Sequence, residues 1–296
     1  MTEPTSAQEY DGRGTEATRR VLLDLAHVLG TYLDRLVVIG GIVPTLLLEG
    51  ADMPHVGTLD IDLTLDAEAL REDDEYAKMI ELLEANGYVR SVAQAVPTLR
   101  PFQLLRRVDL QDGGLEVDVI IDLLMPRGTQ LTKHRPPLID ALRVQKIDGG
   151  RLALDQAVPY EITGRTPEGW TDRAYLRVVS IAGFLALKGN ALKQRRKAKD
   201  AYDIYYVIRN TPNGLDALVQ ACRPLLNDPL AMDAFRQIAS KFVTADAYGP
   251  GTVGTFLRDR LPSGFTEAQI RTDAFRQVSA WAQRLGIPPD EGAQAP

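Results

Sequence analysis

The stretches "VVIGGIVPTLLLEG", residues 37–50, and "HVGTLDIDLTLD", residues 55–66, decide the fold between them. "RLVVIG" has the composition of a buried strand, and the pair Gly40-Gly41 ends it. "IVPTLLLEG" then reads as a short helix with Pro44 in its first turn, where a missing N–H does no harm. In the second stretch acid or hydroxyl alternates with aliphatic. That period of two marks a strand with Asp60, Asp62, Thr64 and Asp66 on one face. Carboxylates two residues apart on a strand leave it about 6–7 Å apart at the backbone, so their tips can converge on one cation. The same alternation is also how any half-exposed strand presents its wet face.

Working outward, residues 67–86 read as a helix stopped by Gly87, and "PFQLLRRVDLQDGGLEVDVIIDLL" as two strands joined through Asp112-Gly113-Gly114. The second of these strands places Glu116, Asp118, Ile120 and Asp122 on one face. Ahead of the glycine pair, residues 16–31 read as a helix. From about 172 the pattern turns helical, with segments at 172–192, 195–209, 213–226, 229–245 and 266–285, the last capped by Thr266. The expected organisation is a loose tail over 1–14, an α/β lobe over 15–165, a helical lobe over 166–287, and a second loose tail over 288–296.

Composition narrows the class. The chain has 296 residues, 45% hydrophobic and 25% charged, with a formal net charge of −6, enough to bury a core across one large or two modest domains. The acidic balance excludes a generally basic nucleic-acid coat, so a polyanion must meet a local patch. The longest apolar run, "VVSIAGFLAL" at 178–187, is about half of a bilayer-spanning helix, and "MTEPTSAQEYDGRGTEATRR" has no apolar signal core. A cytoplasmic protein without membrane partners is expected. Cys222 is the only cysteine and reads as a small buried apolar residue.

A third carboxylate, Asp118, is available to join Asp60 and Asp62 from a separate strand. Three carboxylates within about 4–5 Å repel by several kcal/mol at an effective dielectric near 20, so such a cluster is stable mainly around divalent cations. Oxygen-only ligands select Mg²⁺ or Mn²⁺. At the end of a strand and the start of a helix, a glycine pair lets backbone N–H groups approach a phosphate, although a plain tight turn has the same composition.

Strand, glycine pair, helix, Asp-x-Asp on the next strand and an acid on a later one resemble the DNA-polymerase-beta-like nucleotidyltransferase fold. Gly40, Gly41, Asp60, Asp62 and Asp118 are the matching residues. In "FLALKGNALKQRRKAKDAYDIYYVI", residues 184–208, Lys188 ends an apolar helical run, and locally it reads as a lysine whose stem lies on apolar surface with its head in water. The basic residues Lys193, Arg195, Arg196, Lys197 and Lys199 follow, then Asp200-Ala-Tyr-Asp203. A helical lysine, an Arg/Lys-rich run and "KDxxD" look like the AbiEii-type toxin branch of that superfamily, a resemblance spanning residues 36–208.

The resemblance implies a polymerase-beta-like α/β (α+β) lobe with a mixed sheet and a helical C-terminal lobe. It implies Mg²⁺-dependent transfer of a nucleotide from an NTP to an RNA end, with tRNA as the acceptor, and a cognate antitoxin. Asp60, Asp62 and Asp118 would ligate metal, with Asp118 alternatively the base for the acceptor hydroxyl. Lys188 and Asp203 would complete the catalytic set, Asp200 competing with Asp203 and Glu116 with Asp118. Gly40, Gly41, Thr58, Lys188, Arg195, Lys199 and Asp200 would bind the nucleotide. Two departures stand out: Ile42-Val43-Pro44 follows the glycines where the family often has small residues, and "HVGT" replaces the usual Arg before Asp-x-Asp. Of His27, His55 and His134 only His55 lies near these motifs, and it reads as structural or solvent-facing. Competing readings are a D-x-D-x-T phosphatase with Asp60 as nucleophile, a glycosyltransferase Asp-x-Asp, and a non-catalytic RNA- or antitoxin-binding scaffold of the same fold.

Overall fold

The computed structural model describes residues 4–51, 53–66, 70, 75–90, 99–129 and 144–287. His134, the tail over 288–296 and the first part of the helix read over 67–86 lie outside the described residues. The fold is mixed α/β, as expected, with, among the described residues, an eight-stranded mixed sheet followed by helices. It divides into two compact units: Asp11–Val43 with Gly57–Ser180, and Pro44–Val56 with Ile181 onward and the segment ending at Tyr10.

In the first unit, α1 (Gly12–Leu29) starts at Asp11, whose side chain accepts the Gly14 N–H at 2.6 Å. The chain continues through β1 (Leu36–Ile39), a 3₁₀ turn over Gly40–Ile42, and α2 (Val43–Leu47), within which it leaves this unit. Next come β2 (Asp60–Leu65), α3 (Glu75–Ala85), β3 (Val89–Arg90), β4 (Gln103–Val108), β5 (Val117–Pro126), β6 (Gln145–Ile147), α4 (Gly150–Asp155), β7 (Ala157–Arg165) and β8 (Thr171–Val179). The sheet order is β3-β4-β5-β2-β1-β8-β7, with β6 also on β5. β1 is buried at every position because strands flank it on both sides: β2 antiparallel and β8 parallel. Val38, Ile61, Leu63, Val119, Ile121 and Leu104 share one sheet face and are at most 3% exposed; each such side chain contributes roughly 1.5–3 kcal/mol. α1 packs on strands β2, β4, β5, β7 and β8 of this sheet.

The second unit holds α5 (Ile181–Gln194), α6 (Ala198–Asn210), α7 (Gly214–Cys222), α8 (Pro229–Lys241), α9 (Tyr248–Leu257) and α10 (Glu267–Leu285). Thr266 caps α10 as expected, in a capping box with Gln269. Cys222 is fully buried, and burial pushes its thiol up to about 12, in keeping with an inert packing residue.

Three sequence expectations need correction. Residues 4–11 are not loose: a 3₁₀ turn over Ala7–Glu9 has its own capping box, Ala7 and Tyr10 are buried, and the Arg260 guanidinium donates to the Tyr10 carbonyl at 2.9 Å. The segment 172–192 is not one helix, because Thr171–Val179 pairs with β7 along nine residues and places Val178 beside Val38; ladder pairing overrides the local helical spacing. Helix α9 was missed because "YGPGTVGTFL" carries three glycines and a proline. At Gly249 the reason is steric: a Cβ there would lie 2.5 Å from the Phe242 ring.

Candidate active site

The sheet unit carries the acids. Asp60 and Asp62 are the first and third residues of β2, half-buried and on the same face. Gly40 follows β1 with φ +76°, and a Cβ built on it would stand 1.8 Å from Asp62 Oδ2. The Asp62 carboxylate therefore occupies the space that any other residue at 40 would fill. Gly41 lies in the same 3₁₀ turn. Thr58 is 2% exposed, and its hydroxyl donates to Asp60 Oδ1 at 2.5 Å, so it is committed to holding that carboxylate.

The strand register separates the third acid from the pair. In the parallel ladder β2·β5, Asp60 lies beside Ile120 and Asp62 beside Asp122. Asp118 falls one same-face step earlier, about 6.6 Å along the strand. There it takes two hydrogen bonds from Arg107, at 2.7 and 3.3 Å, and Glu116 is also near Arg107, at 3.7 Å. Asp122 accepts from Gln103 Nε2 at 2.8 Å. The expected cluster of Asp60, Asp62 and Asp118 is not formed: among the described residues no group of three or more His, Cys, Asp or Glu side chains is arranged to hold a metal ion. The ladder register and the Arg107 guanidinium account for the position of Asp118. The residue that sequence reasoning passed over is Asp122, although the alternation of "LEVDVIIDLL" already put it on this face.

The helical unit carries the cations, and it buries two of them, Lys188 and Lys199. Asp200 and Asp203 are fully buried, Lys199 is 3% and Lys188 8% exposed. Lys188 Nζ lies 2.7 Å from Asp200 Oδ1 and 2.7 Å from Asp203 Oδ2. Lys199 Nζ bonds both oxygens of Asp203, at 2.9 and 3.1 Å, one helical turn away on α6. Arg195 grips Asp200 through Nε at 2.8 Å and Nη2 at 3.1 Å. Lys188 is thus not a surface lysine, and the basic run is not one cationic surface: Lys199 sits inside it, over the Tyr10 ring. Burial opposes the charges of Asp203 and Lys188, yet the lysines hold the Asp203 carboxyl well below its usual range, and Asp200 and Asp203 raise the Lys188 ammonium above its own.

His55 belongs to this cluster. Its ring is 2% exposed, with Nε2 2.9 Å from Asp203 Oδ1 and Nδ1 3.2 Å from Thr45 Oγ1. Burial, then the nearby Lys199 ammonium, push its pKa down to about 4, so it is neutral at pH 7. Of the two readings of His55, the solvent-facing one fails: the ring is buried and bonded on both nitrogens.

A family model for the nucleotidyl transferase AbiEii toxin of type IV toxin–antitoxin systems matches residues 24–280 of the 296. The chain belongs to the AbiEii family. It is therefore a nucleotidyltransferase, the toxin of a two-component system whose other half is an antitoxin, and its substrate is a nucleotide. No curated protein matches the chain. AbiEii membership removes the phosphatase reading, which the strand also disfavours: Asp60 opens β2 instead of ending an apolar strand, and Thr64 is fully buried. Among the described residues no helix of this AbiEii protein is long and apolar enough to cross a membrane.

Proposed function

We propose that this chain transfers the nucleotidyl group of an NTP to the 3′ end of an RNA, with tRNA as the acceptor, in a Mg²⁺-dependent reaction in the cytoplasm that a cognate antitoxin restrains. The acceptor hydroxyl gives its proton up to solvent as its oxygen bonds to the α-phosphorus, the α–β phosphoanhydride bond breaks, and pyrophosphate leaves. The observation that carries the reading is the Asp62 carboxylate seated on the Cα of Gly40, on the same strand face as Asp60.

Mg²⁺ characteristically takes one or two protein carboxylates and completes its shell with water and substrate phosphates, so a pair suits it where a full protein cage is lacking. Asp60 and Asp62 would hold it, and it would supply Lewis-acid stabilisation of the phosphoryl oxygens. Thr58 orients Asp60. Asp122, the lateral neighbour of Asp62, is a better third acid than Asp118, whose oxygens are taken by Arg107. The glycine turn admits the triphosphate. Lys188 spends two of its three N–H donors on Asp200 and Asp203, which leaves one for a phosphate oxygen; Arg195 and Lys199 hold those aspartates in place.

The test is incubation with each labelled NTP, Mg²⁺ and total RNA. Label should enter RNA of tRNA size with release of pyrophosphate, and both EDTA and Asp62→Asn should abolish the transfer. Transfer that survives either treatment, or its absence with all four NTPs, overturns the reading.

A further inference from the structure

We propose that His55 is a positioning residue of the transfer reaction: its Nε2–H orients the Asp203 carboxylate and, through it, the ammonium of Lys188. The inference rests on the nucleotidyl-transfer reading and extends it to a residue outside the acids and lysines already described.

The stretch 44–56 lies in sequence between the glycine pair and Asp-x-Asp, but it belongs to the helical unit. It is pinned there: the Val56 N–H donates to Tyr202 Oη at 3.2 Å and the Tyr206 hydroxyl donates to the Met53 carbonyl at 2.9 Å. Between these anchors the His55 ring stacks on Tyr202, with centroids 5.4 Å apart, and meets Tyr206 edge-on at 4.8 Å. The ring has almost no freedom to turn.

Its protonation follows from its partners. The Asp203 carboxylate is ionised and only accepts, so Nε2 carries the proton. Nδ1 then accepts from the Thr45 hydroxyl. The result is one neutral tautomer, held from both sides. With His55 neutral, the ring adds a donor to Asp203 without adding a charge to the Lys188, Lys199, Asp200 and Asp203 network.

The consequence concerns which oxygen each cation receives. Asp203 Oδ1 takes His55 Nε2 at 2.9 Å and Lys199 at 2.9 Å, whereas Oδ2 takes Lys188 at 2.7 Å and the longer arm of Lys199 at 3.1 Å. The terminal torsion of an aspartate is broad and two-fold, so lysines alone set its plane weakly. A rigid ring donor on Oδ1 fixes that plane and leaves Oδ2 aimed at Lys188. A ring of pure packing value would need neither the Asp203 bond nor the Thr45 bond.

Three variants test this: His55→Phe keeps the stacking and removes the donor, His55→Gln keeps a donor, and Thr45→Val frees the tautomer. Thermal midpoint, kcat and KM for the NTP, and imidazole ¹⁵N spectra are measured on the full chain. His55→Phe should stay folded while kcat/KM falls about tenfold to a hundredfold, the scale of a displaced catalytic group. His55→Gln should recover most of that loss, Thr45→Val should fall between His55→Phe and the wild type, and one histidine of the wild type should show the neutral Nε2–H form at pH 7. Wild-type kcat/KM per folded molecule in His55→Phe, no advantage of Gln over Phe, wild-type kcat/KM in Thr45→Val, or an Nδ1–H or cationic ring at pH 7 overturns the inference alone. A wild-type chain that turns over no NTP, yet shows that tautomer, overturns the transfer reading and with it the role of His55.

Discussion

The carboxylate of Asp62 rests on the bare Cα of Gly40, with Oδ2 only 1.8 Å from where a Cβ would stand. The contact links the glycine pair to Asp-x-Asp within one unit, because β1 runs antiparallel to β2 and brings Ile39 opposite Asp62. At φ +76° a side chain at 40 is also strained. Gly40→Ala should lose about 1–3 kcal/mol of stability from backbone strain, and nucleotide transfer should fall more than hydrogen-bond loss alone explains, since Asp62 must move. Urea denaturation beside initial rates checks both; a fully active Gly40→Ala enzyme would show that Asp62 does not need this seat.

Thr58 and Asp60 form the second testable pair. Thr58→Val keeps the buried shape and removes the 2.5 Å bond, at a cost of about 1 kcal/mol in stability. Transfer should drop roughly tenfold with the NTP KM little changed, the pattern of a lost transition-state orientation. An increase in KM alone would instead make Thr58 a nucleotide ligand.

Asp122 and Asp118 are separable by substitution. The register sets Asp122 beside Asp62 and leaves Asp118 with Arg107. Asp122→Asn should reduce transfer by about a hundredfold or more, on the scale of losing an electrostatic catalytic group, while Asp118→Asn should stay within about tenfold. Single-turnover rates on the two variants decide it, and the reverse order would restore Asp118 as the third acid.

Lys188 is a stability residue as well as a proposed phosphate ligand. Lys188→Met leaves two fully buried carboxylates short of a partner, which should destabilise the helical unit by about 3–5 kcal/mol. Activity lost in this variant is therefore interpretable only beside a denaturation curve, and a curve matching the wild type would contradict the buried network.

The pH dependence of stability has two windows. The His55 pKa falls from 6.5 to about 4 on folding, so between those values the unfolded chain binds the extra proton. Stability is full above about 6.5 and declines toward pH 4, by roughly 3 kcal/mol for this group. Asp200 and Asp203 are shifted below 3.8; their contribution is complete above that value and is lost at lower pH, as they protonate. Guanidinium midpoints at pH 7.5, 6 and 5 should drop in the wild type and stay flat over that range in His55→Phe. A wild type flat from 7.5 to 5 would mean that His55 is not buried neutral.

Periodicity alone determined much of this protein. The short buried strand ending in glycines, the two-residue alternation of β2 and β5, the hairpin around Asp112-Gly113-Gly114 and the Thr266 cap are local patterns, legible because each is set by neighbours in sequence. The family, too, was legible from motifs spread over residues 36–208. What no local pattern carries is pairing and burial between distant segments. Only the register of β5 on β2 set Asp122 beside Asp62, only ladder pairing turned Thr171–Val179 into a strand, and only helix packing showed that Lys188 and Lys199 are buried against Asp200 and Asp203 instead of lining a surface. The physical reason is the same in each case: a side chain's chemistry is fixed by its residue type, but its charge state and its partners are set by what the fold brings within about 3 Å of it.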